Sequence, residues 1–220
     1  MTVTLYGVTR SRASRNVWLC LEAGMAFEQV PVIQARRLAE PLAADAPLNT
    51  QSADFLAVNP NGLIPALKDG DLVLIESLAI NLYLAKKAGQ PLAPLDLAED
   101  GQMTMWSLWA AADVEPHAMQ ILFNRGYLPE AERDLAKAAA AATALVPKFA
   151  VLDVHLAGRE WLVGGRFTVA DINVSEVLRY ASFAPDLFTA APNVKRWYDA
   201  CQARPGFQEM MRRRRITNRL

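Results

Sequence analysis

The sequence predicts two successive domains: an α/β domain built on a small mixed sheet, then an all-α domain. Three observations carry this. Segments rich in β-formers alternate with helical spacing through the first 87 residues. A break with two prolines, Gly89-Gln90-Pro91-Leu92-Ala93-Pro94-Leu95, follows. From about Ala98 onward no convincing strand occurs. The boundaries are therefore 1–87, a linker at 88–97, and 98–220.

Residues 2–8 read as a strand, and Ser14 to Ala23 as a helix ending at Gly24, a natural C-cap. Phe27 to Ile33 reads as a second strand, and this β-α-β start needs a crossover helix between parallel strands. Gln34 to Ser52 is rich in Ala, Arg and Pro without clear periodicity, a long loop that could cover a site. Leu63–Leu67 and Leu72–Ile75 flank Lys68-Asp69-Gly70-Asp71, whose Asp-Gly signals a hairpin. A helix runs from Ser77 to about Lys87. The result is a four-stranded mixed sheet with helices.

In the second domain, Met103 to about Arg125 reads as a long helix kinked at Pro116. Leu135–Leu145 is dense in alanine and strongly helix-prone. Phe149–Ala157, Val169–Tyr180 and Val194–Ala203 complete the set. Thr168-Val169-Ala170-Asp171 forms a capping-box variant, with Phe167 and Ile172 spaced as a hydrophobic staple.

Acidic and basic residues balance at 23 each, which does not suggest nucleic acid or an anionic membrane as the main partner. No apolar run approaches the roughly 18 residues of a membrane span, and the N-terminus lacks the basic region of a signal peptide. Cys20 and Cys201 stand far apart, so two reduced thiols in a cytoplasmic protein are expected. Cys20 lies in an apolar run that suits packing. His117 and His155 have no clustered ligands, so no metal is expected.

The chemistry concentrates in Asn59-Pro60-Asn61-Gly62-Leu63-Ile64-Pro65 and, shortly after, Ile75-Glu76-Ser77. An Ile-Pro between a turn and a strand is a candidate cis bond, which would turn the Ile64 backbone outward to pair with an extended peptide. Ser77 at a helix start offers a hydroxyl and unpaired N–H groups to a carboxylate. Together they suit a small peptide carrying a free carboxylate. As ordinary structure, the same residues read as a turn, a strand and a helix cap.

The two motifs, in this order and at this distance, resemble the glutathione site of the glutathione S-transferase family. Gly165 through Asp171 resembles that family's signature in the second domain, so the likeness spans nearly the whole chain. It implies a thioredoxin-like first domain. Ile64 would pair with the cysteinyl backbone of glutathione, while Glu76 and Ser77 would hold its γ-glutamyl end. Near the Ile-Pro step some branches place a cation for the glycine carboxylate; here stand Asn61, Gly62 and Leu63. Arg36, Arg37 or Gln51 are the candidates to replace it.

Transfer of glutathione needs its thiolate, and a free thiol with pKa ~8.5 is only slightly ionised at neutral pH. A charge-assisted hydrogen bond contributes about 1.5–3 kcal/mol and a helix end roughly 0.3–1 kcal/mol. Together they lower the pKa by about 1.5–3 at ~1.36 kcal/mol per pKa unit, so a well-placed hydroxyl suffices without a base. In the family's serine-using branches the active serine lies four residues before an arginine, a spacing that Ser11 and Arg15 match. Ser14 and Thr9 are fallbacks, and Tyr6 is the rival implied by tyrosine-using branches. No cysteine occupies this loop.

Trp109 and Asp113, with Trp106 and His117, lie at near-helical spacing and are candidates for a second-substrate pocket; the alternative is packing and surface roles. The run Arg212–Arg215 reads as a solvated chain end complementing a helix C-terminus. The resemblance implies attack of glutathione thiolate on a small apolar electrophile, in a homodimer, with no metal, nucleic acid or membrane, and detoxification as the general role. Alternatives are a glutathione-dependent peroxidase, isomerase or reductive enzyme on the same site, or a non-catalytic binding protein.

Overall fold

The computed structural model describes residues 2–216. Four strands, β1 (Val3–Tyr6), β2 (Phe27–Val30), β3 (Ala66–Asp69) and β4 (Leu72–Ile75), form one sheet in the order β2-β1-β3-β4. β1 runs parallel to β2 and antiparallel to β3, with Leu5 opposite Gln29 on one side and Leu67 on the other. The parallel pair is made possible by the crossover helix α1 (Ala13–Glu22). Helix α3 (Ser77–Ala88) follows β4 directly. This is the thioredoxin-like arrangement implied by the family resemblance.

Alternation along β1 sorts the two faces of the sheet. Val3 and Leu5 are buried, and α1 contributes Val17, Trp18, Leu19 and Cys20 to the same core. Tyr6 instead packs with a cluster of Val32, Phe55 and Ala66 on the other face, where the short helix α2 (Ala53–Leu56) supplies Phe55. Burial pushes the Cys20 thiol up to about 12, which leaves it inert as expected of a packing residue. The open end of β3 is tied to α3 through Asp69, which accepts from Tyr83 Oη at 2.6 Å and pairs with Lys87 at 2.5 Å.

The third strand begins later than the pattern predicts. Residues 61–65 belong to a turn held by Asn59, whose Nδ2 donates to the Leu63 carbonyl at 2.6 Å and whose Oδ1 accepts from Asn61 N–H at 3.1 Å. The second strand ends at Val30, and the chain then passes through an isolated parallel bridge between Ile33 and Asn49.

The remaining helices are α4 (Leu97–Trp109), α5 (Glu115–Leu122), α6 (Leu135–His155), α7 (Val169–Leu178), α8 (Pro185–Thr189), α9 (Pro192–Gln202) and α10 (Pro205–Ile216). The long helix expected at Met103–Arg125 starts earlier, at Leu97, because Asp96 caps it by accepting from Glu99 N–H at 2.8 Å. Its interruption is a π-helical turn, Ala110–Val114, which delivers Pro116 into the first turn of α5. Proline is tolerated there because that N–H would have no intrahelical partner. Two helices predicted on either side of Pro147 are one continuous helix, α6. Its buried stripe Ala138, Ala141, Leu145, Phe149 and Leu152 crosses the proline without a phase change. By length and composition alone α6 is apolar enough to cross a membrane, which the sequence reading did not register; here its stripe packs in the helical unit. The capping box at Thr168 and Asp171 is formed, and Asp171 also accepts from Trp197 Nε1 at 2.8 Å.

Two compact units result, Gly89–Arg204 and the chain up to Ala88 joined by the segment from Pro205 onward. The final helix, grouped by the sequence with the helical domain, therefore packs on α1 of the first unit. Phe207 meets Trp18 edge to face at 5.0 Å. Gly206 lies against Glu22 so closely that an added Cβ would stand 3.0 Å from the Glu22 nitrogen.

Candidate active site

The site grows from the N-termini of α1 and α3. Arg15, on the first turn of α1, is buried, and its Nη1 donates to Ser77 Oγ at 2.9 Å. Asn16 Nδ2 donates to the Ser77 carbonyl at 2.8 Å and to Asn81 Oδ1 at 2.7 Å, and Asn81 Nδ2 returns a bond to the Arg15 carbonyl at 3.3 Å. This buried polar network fastens the two helix starts together. Sequence reasoning used Arg15 only as a spacing marker and missed Asn16 and Asn81. The available signal was three long polar side chains at helix positions otherwise rich in apolar residues.

The Ile64–Pro65 bond is cis, as the sequence predicts. Among the described residues, neither the N–H nor the C=O of Ile64 takes part in a turn or cap hydrogen bond. Gly7 brings this segment to the β1–α1 loop. At φ +133° it adopts a conformation that favours glycine, and a Cβ there would meet Ala13 Cβ at 3.1 Å and Ile64 Cβ at 3.2 Å. Ser11, Ile64 and Ser77 thus lie on segments that converge through two tight contacts, Gly7 with Ile64 and Arg15 with Ser77.

Ser11 is half-buried; its Oγ donates to the Val8 carbonyl at 2.7 Å and accepts from Ala13 N–H at 3.0 Å. Glu76 is exposed at φ 68°, the one described non-glycine residue in the left-handed region. Such outliers persist where surrounding structure enforces them, often at ligand sites. Gln51 is exposed and its N–H is held by Asn49 Oδ1 at 2.9 Å. Asn49, buried and absent from the sequence reading, also donates to the carbonyls of Pro41 and Pro47 and so shapes the long loop. From that loop Arg37 Nη2 reaches the Arg10 carbonyl at 3.3 Å.

Of the fallback residues, Thr9 is buried with its Oγ1 accepting from Gln29 Nε2 at 3.2 Å, and Ser14 is fully buried inside α1. Tyr6 packs 6.3 Å from the Phe55 ring. Trp109 and Asp113 lie in the second unit. Trp109 stacks edge to face on Trp106 at 5.1 Å, and Asp113 pairs with Lys148 of α6 at 2.5 Å. No group of three potential metal ligands occurs among the described residues.

Two family patterns match this chain: the glutathione S-transferase N-terminal domain over residues 1–86 and the C-terminal domain over residues 114–205. The chain belongs to the glutathione S-transferase family. Glutathione S-transferase GstB of Escherichia coli K12 is 34% identical over 214 residues, covering 95% of this chain and 97% of its own. Glutathione S-transferase 3 of Zea mays is 35% identical, with coverage of 93% and 91%. Among solved structures, the theta class glutathione S-transferase of Xanthomonas axonopodis pv. citri with glutathione bound superimposes with a TM-score of 0.76 at 31% identity, covering 94% of this transferase and 96% of that chain. Ure2p5 of Phanerochaete chrysosporium, cocrystallized with 1-(S-glutathionyl)-2,4-dinitrobenzene, gives a TM-score of 0.78 at 26% identity, with coverage of 98% and 96%. The solved structures and both family patterns thus agree with the fold class read from the sequence, a thioredoxin-like fold followed by helices.

Proposed function

We propose that this transferase binds glutathione on its first unit, holds the sulfur as a thiolate with Ser11, and transfers it to an electrophilic carbon of a small apolar molecule. The observation that carries the reading is the convergence of the Ser11 loop, the Ile64–Pro65 turn and the Ser77 helix start. An extended peptide pairing with the Ile64 backbone runs as an added strand. Its γ-glutamyl carboxylate meets Ser77 and the N–H groups of the first turn of α3, while Glu76 takes the amino group. The glycine end falls to Gln51 or to the arginines of the long loop.

A hydroxyl has one proton and two acceptor sites. With its proton on the Val8 carbonyl, Ser11 cannot also donate to sulfur. Activation is therefore a swing of that proton from Val8 to the thiolate, with the bond from Ala13 N–H retained. The thiol proton leaves to solvent; the sulfur lone pair forms the new S–C bond, and the leaving group departs with its electron pair. The reaction needs no oxidant.

The same reading places Trp109 and Asp113 at the second substrate, with a homodimer, a cytoplasmic location and a detoxifying role. Alanine at either position would change KM for the electrophile but not for glutathione, and sedimentation would report the dimer. The direct test is conjugation of glutathione to a 2,4-dinitrophenyl halide, alongside calorimetric binding of glutathione. Saturable binding and conjugate formation support the proposal; binding without any conjugation favours a binding protein, and the absence of both overturns the site.

A further inference from the structure

The run Arg212–Arg215, read from sequence as a solvated chain end, contains a residue that reaches the candidate catalytic loop. Helix α10 lies along α1, with Phe207 on Trp18 and the Arg213 guanidinium 5.7 Å from the Phe27 ring centre. That packing brings Arg214 Nη1 to the Thr9 carbonyl, to which it donates at 3.0 Å. Arg37 donates to the next carbonyl, that of Arg10. Gln29 Nε2 fixes the loop from β2, donating to the Gly7 carbonyl at 2.7 Å. Two successive carbonyls immediately before Ser11 are thus held by arginines from opposite ends of the sequence.

We propose that Arg214 is a positioning residue for the thiolate-stabilising hydroxyl: the C-terminal helix clasps the β1–α1 loop and sets where Ser11 Oγ stands. The inference rests on the assignment of Ser11 to the sulfur. Once the Ser11 proton leaves Val8, the Ala13 N–H is the remaining one of its two side-chain tethers. The placement of Oγ then depends on the backbone of residues 9–11. Hydrogen bonds weaken steeply with misalignment, and a functional group on a loop needs supporting contacts to hold its geometry. A guanidinium suits this role because it is always charged and presents donors in a rigid fork. Its neighbour Arg212 is engaged differently, forking onto Glu209 within the helix at 2.6 and 2.8 Å.

The test titrates the thiolate absorbance of bound glutathione against pH in the full chain, at saturating ligand, with thermal midpoints measured in parallel. Arg214→Met is expected to raise the apparent pKa of the bound thiol by about 0.5–1, a roughly three- to tenfold loss of thiolate at neutral pH, while glutathione affinity stays within about twofold. Arg214→Lys recovers most of that change, Arg212→Met shows none of it, and Arg214→Met adds nothing in a Ser11→Ala background. An unchanged thiol pKa in Arg214→Met overturns the inference, as does a change that adds fully to that of Ser11→Ala. A lower thermal midpoint with no pKa change also overturns it, by showing a structural role alone. Absence of any thiolate in the wild type overturns the glutathione-activation reading itself, a result distinct from all of these.

Discussion

Arg15 Nη1 donates to Ser77 Oγ at 2.9 Å in the buried seam between α1 and α3. A guanidinium can only donate, so the serine oxygen accepts, and the serine proton is left to point at something else. On the proposed binding mode, that something is the γ-glutamyl carboxylate of glutathione. On that proposal the contact sets the direction of a hydrogen bond at the ligand as well as joining two helices.

Replacing Arg15 with Met removes the donor and leaves Ser77 free to turn its proton inward. Loss of a hydrogen bond to a charged group costs about 1.5–3 kcal/mol, so the thermal midpoint should fall by roughly 3–12 °C for a chain of this size. Glutathione affinity should fall with it, by about tenfold. A glutathione analogue lacking the γ-glutamyl carboxylate should bind wild type and variant alike. Calorimetry on both ligands checks this, and equal losses for the two would contradict it.

Glu76 separates stability from binding. Its φ of 68° costs a non-glycine residue roughly 1–2 kcal/mol, which glycine avoids. Glu76→Gly should therefore leave stability unchanged or raise it by up to about 1 kcal/mol, after the entropic cost of glycine. It should also weaken glutathione binding, because the variant lacks the carboxylate proposed to face the γ-glutamyl amino group. Chemical denaturation and calorimetry on one preparation measure both. A variant that is less stable yet binds normally would remove Glu76 from the site.

The reach of the sequence was uneven, for physical reasons. The cis Ile64–Pro65 turn, the Ser77 helix start and the Thr168–Asp171 capping box are local, each set by residues within a few positions, and all three were legible. Helix α6 reads from the sequence as two helices, Leu135–Leu145 and Phe149–Ala157, whereas its buried stripe runs on through Pro147. The roles of Arg15, Asn16 and Asn81 depend on partners more than sixty positions away in most of their bonds, which no spacing rule reveals. Helix α10 was assigned by its neighbours in sequence, whereas its packing is decided by Gly206 and Phe207 fitting α1.

The helical unit has its own pH dependence. Arg166 forks onto Glu99 at 2.6 and 2.8 Å and also donates to the Pro91 and Ala93 carbonyls, fastening the start of α4 to the loop before α7. The bond from Arg166 holds the Glu99 carboxyl down to about 2, against an ordinary 4.5. The ionised carboxylate therefore favours the folded state fully above about 4.5, and this contribution is lost as pH falls from there toward about 2. Arg166→Met should lower stability at neutral pH by about 1.5–3 kcal/mol and flatten the acid limb over that window. Denaturation series between neutral and acid pH report both effects; an acid limb unchanged in the variant would contradict the assignment.

On the proposed mechanism, the Ser11 hydroxyl stabilises the glutathione thiolate. Ultraviolet difference titration of bound glutathione, on wild type and Ser11→Ala, tests it most directly. A thiolate titrating near neutral pH in the wild type, with its pKa raised by about 1–2 in the variant, is the predicted result, since the lost bond contributes about 1.5–3 kcal/mol at ~1.36 kcal/mol per pKa unit. A wild-type thiolate whose pKa does not change in Ser11→Ala would contradict the claim and move the role to Tyr6, Thr9 or Ser14.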